Sequence, residues 1–179
     1  MQHIILTGMP GAGKSTLINA LSAAGFLTVA EAATDIITEW QANGVKSPWL
    51  SPDFLEAVLS LQIKRRQAMA RAQGAVCFYD RSPICTYALA AFLNKTPSAA
   101  LMQAISKMRV ERQYADTVLF IESLGQIENT SVRQIDFESA LSFGEKHRAA
   151  YTQFGYRCLS IANGSVNERL QEVLAVVAK

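Results

Sequence analysis

The sequence predicts an α/β fold: a parallel sheet with helices packed on both faces. Three observations carry that expectation. Short apolar, β-branched runs alternate along the chain with longer helix-like stretches. The first of those runs leads directly into a glycine-rich turn and then a helix. Half of the 179 residues are hydrophobic and 18% are charged, so a sizeable core can be buried and a disordered chain is excluded.

Each element has a local reason. Ile4–Thr7 is short and β-branched, which suits a buried strand. Ser15–Ala24 reads as a helix, with Gly25 placed to end it. Phe26–Ala30 is a second strand and Ala32–Gln41 a helix, closed by a loop at Asn43-Gly44 and Ser47-Pro48. Ser51-Pro52-Asp53 opens a long helix that runs toward Gly74, with Phe54, Val58, Leu61 and Ile63 on its apolar face. Ala75–Tyr79 is the third strand. Pro83–Asn94 and Ser98–Tyr114 are helices, and Thr117–Ile121 is the fourth strand. Leu124–Ile135 is polar and aperiodic, which reads as a loop. Phe137–Phe154 is a helix stopped by Gly155, Arg157–Ile161 a fifth strand, and Val166–Val177 the last helix. With no repeat, low-complexity tract or linker, residues 1–179 are expected to form a single domain.

Composition excludes several function classes. The net charge is +2, from 17 basic and 15 acidic residues, so neither a nucleic-acid partner nor a membrane surface is expected. The three cysteines (Cys77, Cys85, Cys158) have neither disulfide-framework nor zinc-knuckle spacing and read as reduced thiols. No targeting signal is visible, and no stretch approaches the ~20 apolar residues needed to span a bilayer. A soluble cytoplasmic protein, monomer or homodimer, is the expectation.

The strongest motif is Gly8-Met9-Pro10-Gly11-Ala12-Gly13-Lys14-Ser15-Thr16, which fits the P-loop pattern G-x-x-x-x-G-K-[ST]. Gly8, Gly11 and Gly13, with Pro10 and Ala12 between them, let the backbone fold around an anion and aim N–H groups at it. The helix that follows adds its N-terminal dipole. Lys14 can reach the outer phosphates as a point charge. Ser15 is placed to ligate Mg²⁺, and Thr16 to hold the inner phosphates.

Other charged residues fall where ligands gather, at the carboxyl ends of strands. The third strand ends in Asp80-Arg81. Asp80 can hold a Mg²⁺-bound water or take a proton from an attacking hydroxyl. Arg81 can bind a phosphate or hold the acceptor. Glu31 ends the second strand, and Asp35 follows on the same rim or serves as a helix N-terminal carboxylate. Arg133, in the polar loop, can supply charge to a phosphoryl transition state while the loop excludes water.

The remaining polar residues take plainer readings. His3 and His147 lack metal-ligand spacing. Lys64-Arg65-Arg66, Lys146, Arg148 and Arg109 read as solvated helix faces, as does Arg112 unless it points at an acceptor. Trp40, Trp49 and Phe54 read as core or lid packing, and Gln62 as a weak candidate for an acceptor hydrogen bond.

With these residues in place, the chain resembles the P-loop nucleoside and nucleotide kinases. It looks closest to the small AAA-like P-loop domain family that includes the ribosylnicotinamide kinase domain. The carriers are Gly8–Thr16, Glu31-Ala32-Ala33-Thr34-Asp35, Tyr79-Asp80-Arg81, Arg133 and Phe154-Gly155-Tyr156. Asp80-Arg81-Ser82 is also similar to the Glu-Arg-Ser of deoxynucleoside kinases. Thr34 stands where an Arg is often found, and Arg133 stands alone where many nucleotide kinases carry several lid arginines.

The resemblance implies a three-layer P-loop NTPase fold with strand order 2-3-1-4-5 and a lid near residues 123–136. It implies ATP and Mg²⁺ on the P-loop, with Lys14 and Ser15 at the phosphates and metal. It also implies a small-molecule acceptor, nucleoside- or nucleotide-like, near Glu31, Asp35 and Arg81. The length leaves no room for the helical lid domain of a full AAA+ module, so a ring-forming motor is not expected. An ATPase or nucleotide-dependent switch working through a protein partner is the competing expectation. The absence of an Asn-Lys-x-Asp guanine signature favours adenine in either case.

Overall fold

The computed structural model describes residues 1–125 and 135–177. Five strands form one sheet: β1 (Gln2–Thr7), β2 (Leu27–Val29), β3 (Val76–Asp80), β4 (Thr117–Ile121) and β5 (Arg157–Ile161). All pairs are parallel, in the order β2-β3-β1-β4-β5. The expected three-layer fold is therefore the one observed.

Helices α1 (Lys14–Ala23), α2 (Ala32–Ala42), α3 (Phe54–Met69), α4 (Pro83–Phe92), α5 (Ala99–Val110), α6 (Phe137–Gln153) and α7 (Val166–Val177) connect and cover the strands. Alternation along each strand sends neighbouring residues to opposite faces. Ile5, Cys77, Tyr79 and Val118 pack with α4, α5 and α6 through Ile84, Leu101 and Tyr151. Ile4, Leu6, Phe78 and Leu119 pack with α1 and α7 through Leu17, Leu21 and Val173. A satellite cluster of Ala32, Ile36, Phe54, Leu55, Val58 and Ala90 joins α2, α3 and α4.

The largest boundary difference is in α3, which stops at Met69, well before Gly74. Its buried face is Phe54, Leu55, Val58 and Leu59, whereas Ile63 is exposed. The helix packs on α2 and α4 through Phe54, Leu55 and Val58 and on the sheet-side cluster through Leu59, which turns the covered stripe away from Ile63. No helix among the described residues is long and apolar enough to cross a membrane.

Strand order positions the site. The central strand β1 has its successors on opposite sides, β3 on one flank and β4 on the other. That reversal opens a crevice at the carboxyl ends of the strands.

Candidate functional site

The P-loop follows β1 at this crevice. Gly8, Gly11 and Gly13 all have positive φ, at 131°, 82° and 77°. At Gly8 a Cβ would lie 2.4 Å from the Ile121 carbonyl oxygen, so the loop crosses β4 at a distance that only glycine permits. Gly13 is the N-cap of α1, without a side-chain cap, which leaves the first helical N–H groups facing the crevice.

Lys14 is almost fully buried, and its Nζ donates to the carbonyls of Met9 (2.9 Å) and Gly8 (3.4 Å). Burial, and then the neighbouring Arg81, lower its pKa to about 8. Ser15 Oγ donates to Asp80 Oδ2 at 3.1 Å, across 65 residues of sequence. The other Asp80 oxygen, Oδ1, is buried and has no hydrogen-bond partner. Burial and the nearby Glu31 carboxylate push the Asp80 carboxyl up, against the pull of Lys14 and Arg81.

Arg81 sits at φ 78° just past the end of β3, with its N–H donating to the Leu6 carbonyl (3.0 Å). A non-glycine residue held there is strained, and the turn it makes aims the side chain into the crevice. Its Nε donates to Glu31 Oε1, and its Nη1 donates to the His147 ring (3.0 Å to Nε2). Glu31 is the residue before α2, and its second oxygen accepts from Thr34 Oγ1 at 2.8 Å. Burial alone would raise the Glu31 carboxyl, but Arg81 and Lys14 hold it below its ordinary range.

A cavity of about 550 Å³ opens from these residues. Pro10, Gly11, Gly13, Lys14, Ser15 and Thr16 line its phosphate end, with Glu31 and Arg81 at the middle. Its far walls are apolar, built by Ile37, Trp49, Phe54, Val58, Leu89 and Phe92. Gln62 also lines it, with Oε1 accepting from Thr86 Oγ1 at 2.9 Å. Most P-loop residues, together with Glu31 and Arg81, thus converge on one cavity, with Asp80 behind Ser15.

Asp35 does not line this cavity; it pairs with Arg65, which also donates to the Ala30 carbonyl. Arg65 and Arg66 are therefore tied down rather than a free solvated face, since Arg66 donates to the Gln113 carbonyl at 3.0 Å. Arg109 bonds Asp116 and Arg148 bonds Glu122, each stacking on an aromatic ring, and Arg112 is exposed. Arg133 and residues 126–134 of the expected lid lie outside the described residues.

Two site residues escape the sequence reading. His147 is completely buried against Arg81, which a search for metal spacing cannot reveal. Arg169 is also buried, and its Nη2 donates to the Ala12 carbonyl of the P-loop at 2.6 Å. Its signal is spacing: Arg169 lies one turn before Val173 on the covered face of α7.

Among the described residues no cluster of three or more His, Cys, Asp or Glu forms a metal cage. The donor set still fits Mg²⁺, which keeps several waters and uses few protein ligands beside substrate phosphates. Ser15 Oγ with the unpartnered Asp80 Oδ1 behind it is that kind of set.

The model of a family described as "AAA domain" matches residues 3–169. The chain belongs to this AAA domain family. No functionally curated protein matches the sequence. Among solved structures, the chain is similar to deoxyadenosine kinase from M. mycoides with bound dATP: TM-score 0.61, 14% identity, 99% of this chain and 100% of that one. It is similar to NadR protein in complex with NAD and AMP-PNP: TM-score 0.69, 18% identity, 99% of this chain and 49% of that one. Thymidylate kinase from Candida albicans gives TM-score 0.60 at 12% identity, covering 99% of this chain and 91% of that one. The family member therefore has the fold of P-loop nucleoside and nucleotide kinases.

Proposed function

We propose that the protein is an ATP- and Mg²⁺-dependent phosphotransferase acting on a hydroxyl of a small, uncharged, nucleoside-sized acceptor. The observation that carries this reading is the continuity of the cavity. One end is a P-loop with a buried carboxylate behind Ser15, and the other is an apolar chamber entered past Glu31 and Arg81. A nucleotide switch or simple ATPase has no use for such a chamber.

Among the described residues, the lid Arg133 left aside, charge favours a neutral acceptor. The cations lining the cavity among the described residues are Lys14 and Arg81. Lys14 belongs to the nucleotide phosphates, and Arg81 is already neutralised by Glu31. A phosphate monoester acceptor would bring about two further negative charges beside a carboxylate, at a cost of several kcal/mol. A neutral hydroxyl compound with a flat apolar body meets no such penalty, and Gln62 and Thr86 can orient its polar edge.

The residues divide the work. Ser15 and Asp80 would hold Mg²⁺, which on binding neutralises charge on the phosphate oxygens. Lys14 and the P-loop amides bind the outer phosphates. Arg81 lies between donor and acceptor and stabilises the transferring phosphoryl group. The acceptor oxygen bonds to the γ-phosphorus as the bond to the β,γ-bridging oxygen breaks and ADP departs. Glu31 takes the hydroxyl proton; because its carboxyl is held low, that transfer comes late, once bond formation has made the hydroxyl acidic. Arg133 is proposed to act from the lid, whereas Asp35, paired with Arg65 and not lining the cavity, takes no direct part.

The test is ADP formation from Mg²⁺-ATP with a panel of nucleosides, their monophosphates and other small hydroxyl compounds. Nucleoside-dependent ADP with a phosphorylated product is expected. Preferential turnover of monophosphates overturns the charge argument. Slow hydrolysis indifferent to every acceptor overturns the phosphotransferase reading in favour of an ATPase. Glu31→Gln should lower kcat by about 10²-fold or more while leaving ATP affinity within a few-fold.

A further inference from the structure

His147 has no place in the chemistry above, yet it is 0% exposed in the middle of the cationic cluster. Both ring nitrogens lie within reach of Arg81 Nη1, Nε2 at 3.0 Å and Nδ1 at 3.3 Å. The ring packs on Phe143 with centroids 4.3 Å apart, and the Gly8 backbone lies beside it. One imidazole thus touches the first P-loop glycine and the arginine that faces the acceptor.

We infer that His147 is a positioning residue that fixes the Arg81 guanidinium between the P-loop and the acceptor chamber. Arg81 can only donate, so the imidazole must accept, and it can do so only when neutral. Burial, reinforced by Arg81 and Lys14, holds its pKa well below 6.5, so it is neutral at physiological pH. With Glu31 at Nε and His147 at Nη1, the guanidinium is gripped at two nitrogens. Its plane is then set before substrate arrives, which is where preorganisation gains rate.

The helix is built to deliver this ring. Gly144 of α6 lies against the P-loop: a Cβ there would sit 3.0 Å from the Met9 Cβ and 3.3 Å from the Met9 nitrogen. Glycine lets α6 approach closely, and His147, three residues on, falls on the same face. A histidine that merely filled core space would need neither the close approach nor two polar neighbours.

The experiment compares His147→Leu with His147→Gln, each alone and in an Arg81→Lys background. His147→Leu should lower kcat about 30-fold while KM for ATP stays within about twofold, and His147→Gln, which retains an acceptor, should return to within about fivefold of the parent. In the Arg81→Lys background the leucine change should cost less than about twofold, because its target is gone. Unchanged kcat, a glutamine variant no better than leucine, or an undiminished loss in the Arg81→Lys background each overturn the inference. His147→Phe fills the same space without an acceptor and carries the test if the leucine variant does not fold.

The turnover arms rest on the phosphotransferase reading, so a second readout is independent of it. In protein labelled with ¹⁵N-arginine, the Arg81 Nη1–H resonance should be sharp and slow to exchange in the parent and in His147→Gln. It should broaden in His147→Leu or His147→Phe. An unaltered resonance in those variants overturns the positioning role even if no acceptor is ever turned over.

Discussion

The two ends of the sheet bury polar groups in different ways. At the amino ends, His3 Nδ1 meets Tyr79 Oη at 2.9 Å, and Arg66 donates to the Gln113 carbonyl while lying over the Tyr114 ring. Tyr79 and Tyr114 pack edge to face, with centroids 5.1 Å apart. These contacts join neutral partners, or one cation to a carbonyl and a ring. At the carboxyl ends, Lys14, Glu31, Asp80 and Arg81 are crowded together with a neutral histidine, and one Asp80 oxygen has no partner. Burying charge this closely costs several kcal/mol relative to apolar packing. A fold that accepts the cost at one end of its sheet and avoids it at the other has reserved that end for a ligand.

The sharpest way to break this comparison is Lys14→Ala. Turnover is expected to fall by about 10³-fold, while the melting temperature moves by no more than a few degrees. A desolvated lysine contributes little to stability, so its removal should be tolerated. Full activity in that variant would sink the phosphate assignment, and unfolding would make the carboxyl-end charges structural.

A calorimetric experiment sharpens the same point. Lys14, lowered from 10.5 to about 8, regains its proton when phosphates surround it. Nucleotide binding at pH 8 should therefore take up about half a proton, rising toward one at pH 9 and vanishing near pH 6.5. The uptake appears as a dependence of binding enthalpy on buffer ionisation enthalpy, and a buffer-independent enthalpy at pH 9 would contradict it. In the free protein the unfolded lysine keeps its proton to about 10.5, so Lys14 makes stability rise with pH between about 8 and 10.5.

The smallest effect belongs to the other end. Burial, with Arg66 and the chain N-terminus, lowers His3 from 6.5 to about 4. The unfolded chain binds this proton first, so its contribution is present above pH 6.5 and is lost as pH falls toward 4. His3→Gln should leave turnover unchanged. It should reduce the stability lost between pH 7 and 4.5 by about 1 kcal/mol, after discounting for the ring's partial exposure. Denaturant titrations at the two pH values measure it, and a loss of turnover would erase the distinction between the ends.

Much of the fold was legible because its signals are local. Strands β4 and β5 and helix α7 begin and end where composition and turn residues place them. Gly8, Gly11 and Gly13 announce their backbone conformation by residue type. Arg81 does not: nothing in Tyr79-Asp80-Arg81 requires a positive φ, which the crowded end of β3 imposes. From the sequence Asp35 can share the rim with the better-placed Glu31 or serve as a helix N-terminal carboxylate, and one turn of α2 directs it to Arg65 instead of the cavity.

By itself, then, the sequence determined the alternation of strands and helices, the anion-binding loop and the charged ends of the second and third strands. These follow from residue type and spacing within a few positions. Only the tertiary structure decided which charges meet. Glu31 and Arg81 are 50 residues apart, Arg81 and His147 are 66 apart, and Ala12 and Arg169 are 157 apart. Such pairs are fixed by strand order and by how closely helices pack on the sheet. No local rule in the chain encodes that convergence, because it is a property of the folded core that brings distant segments together.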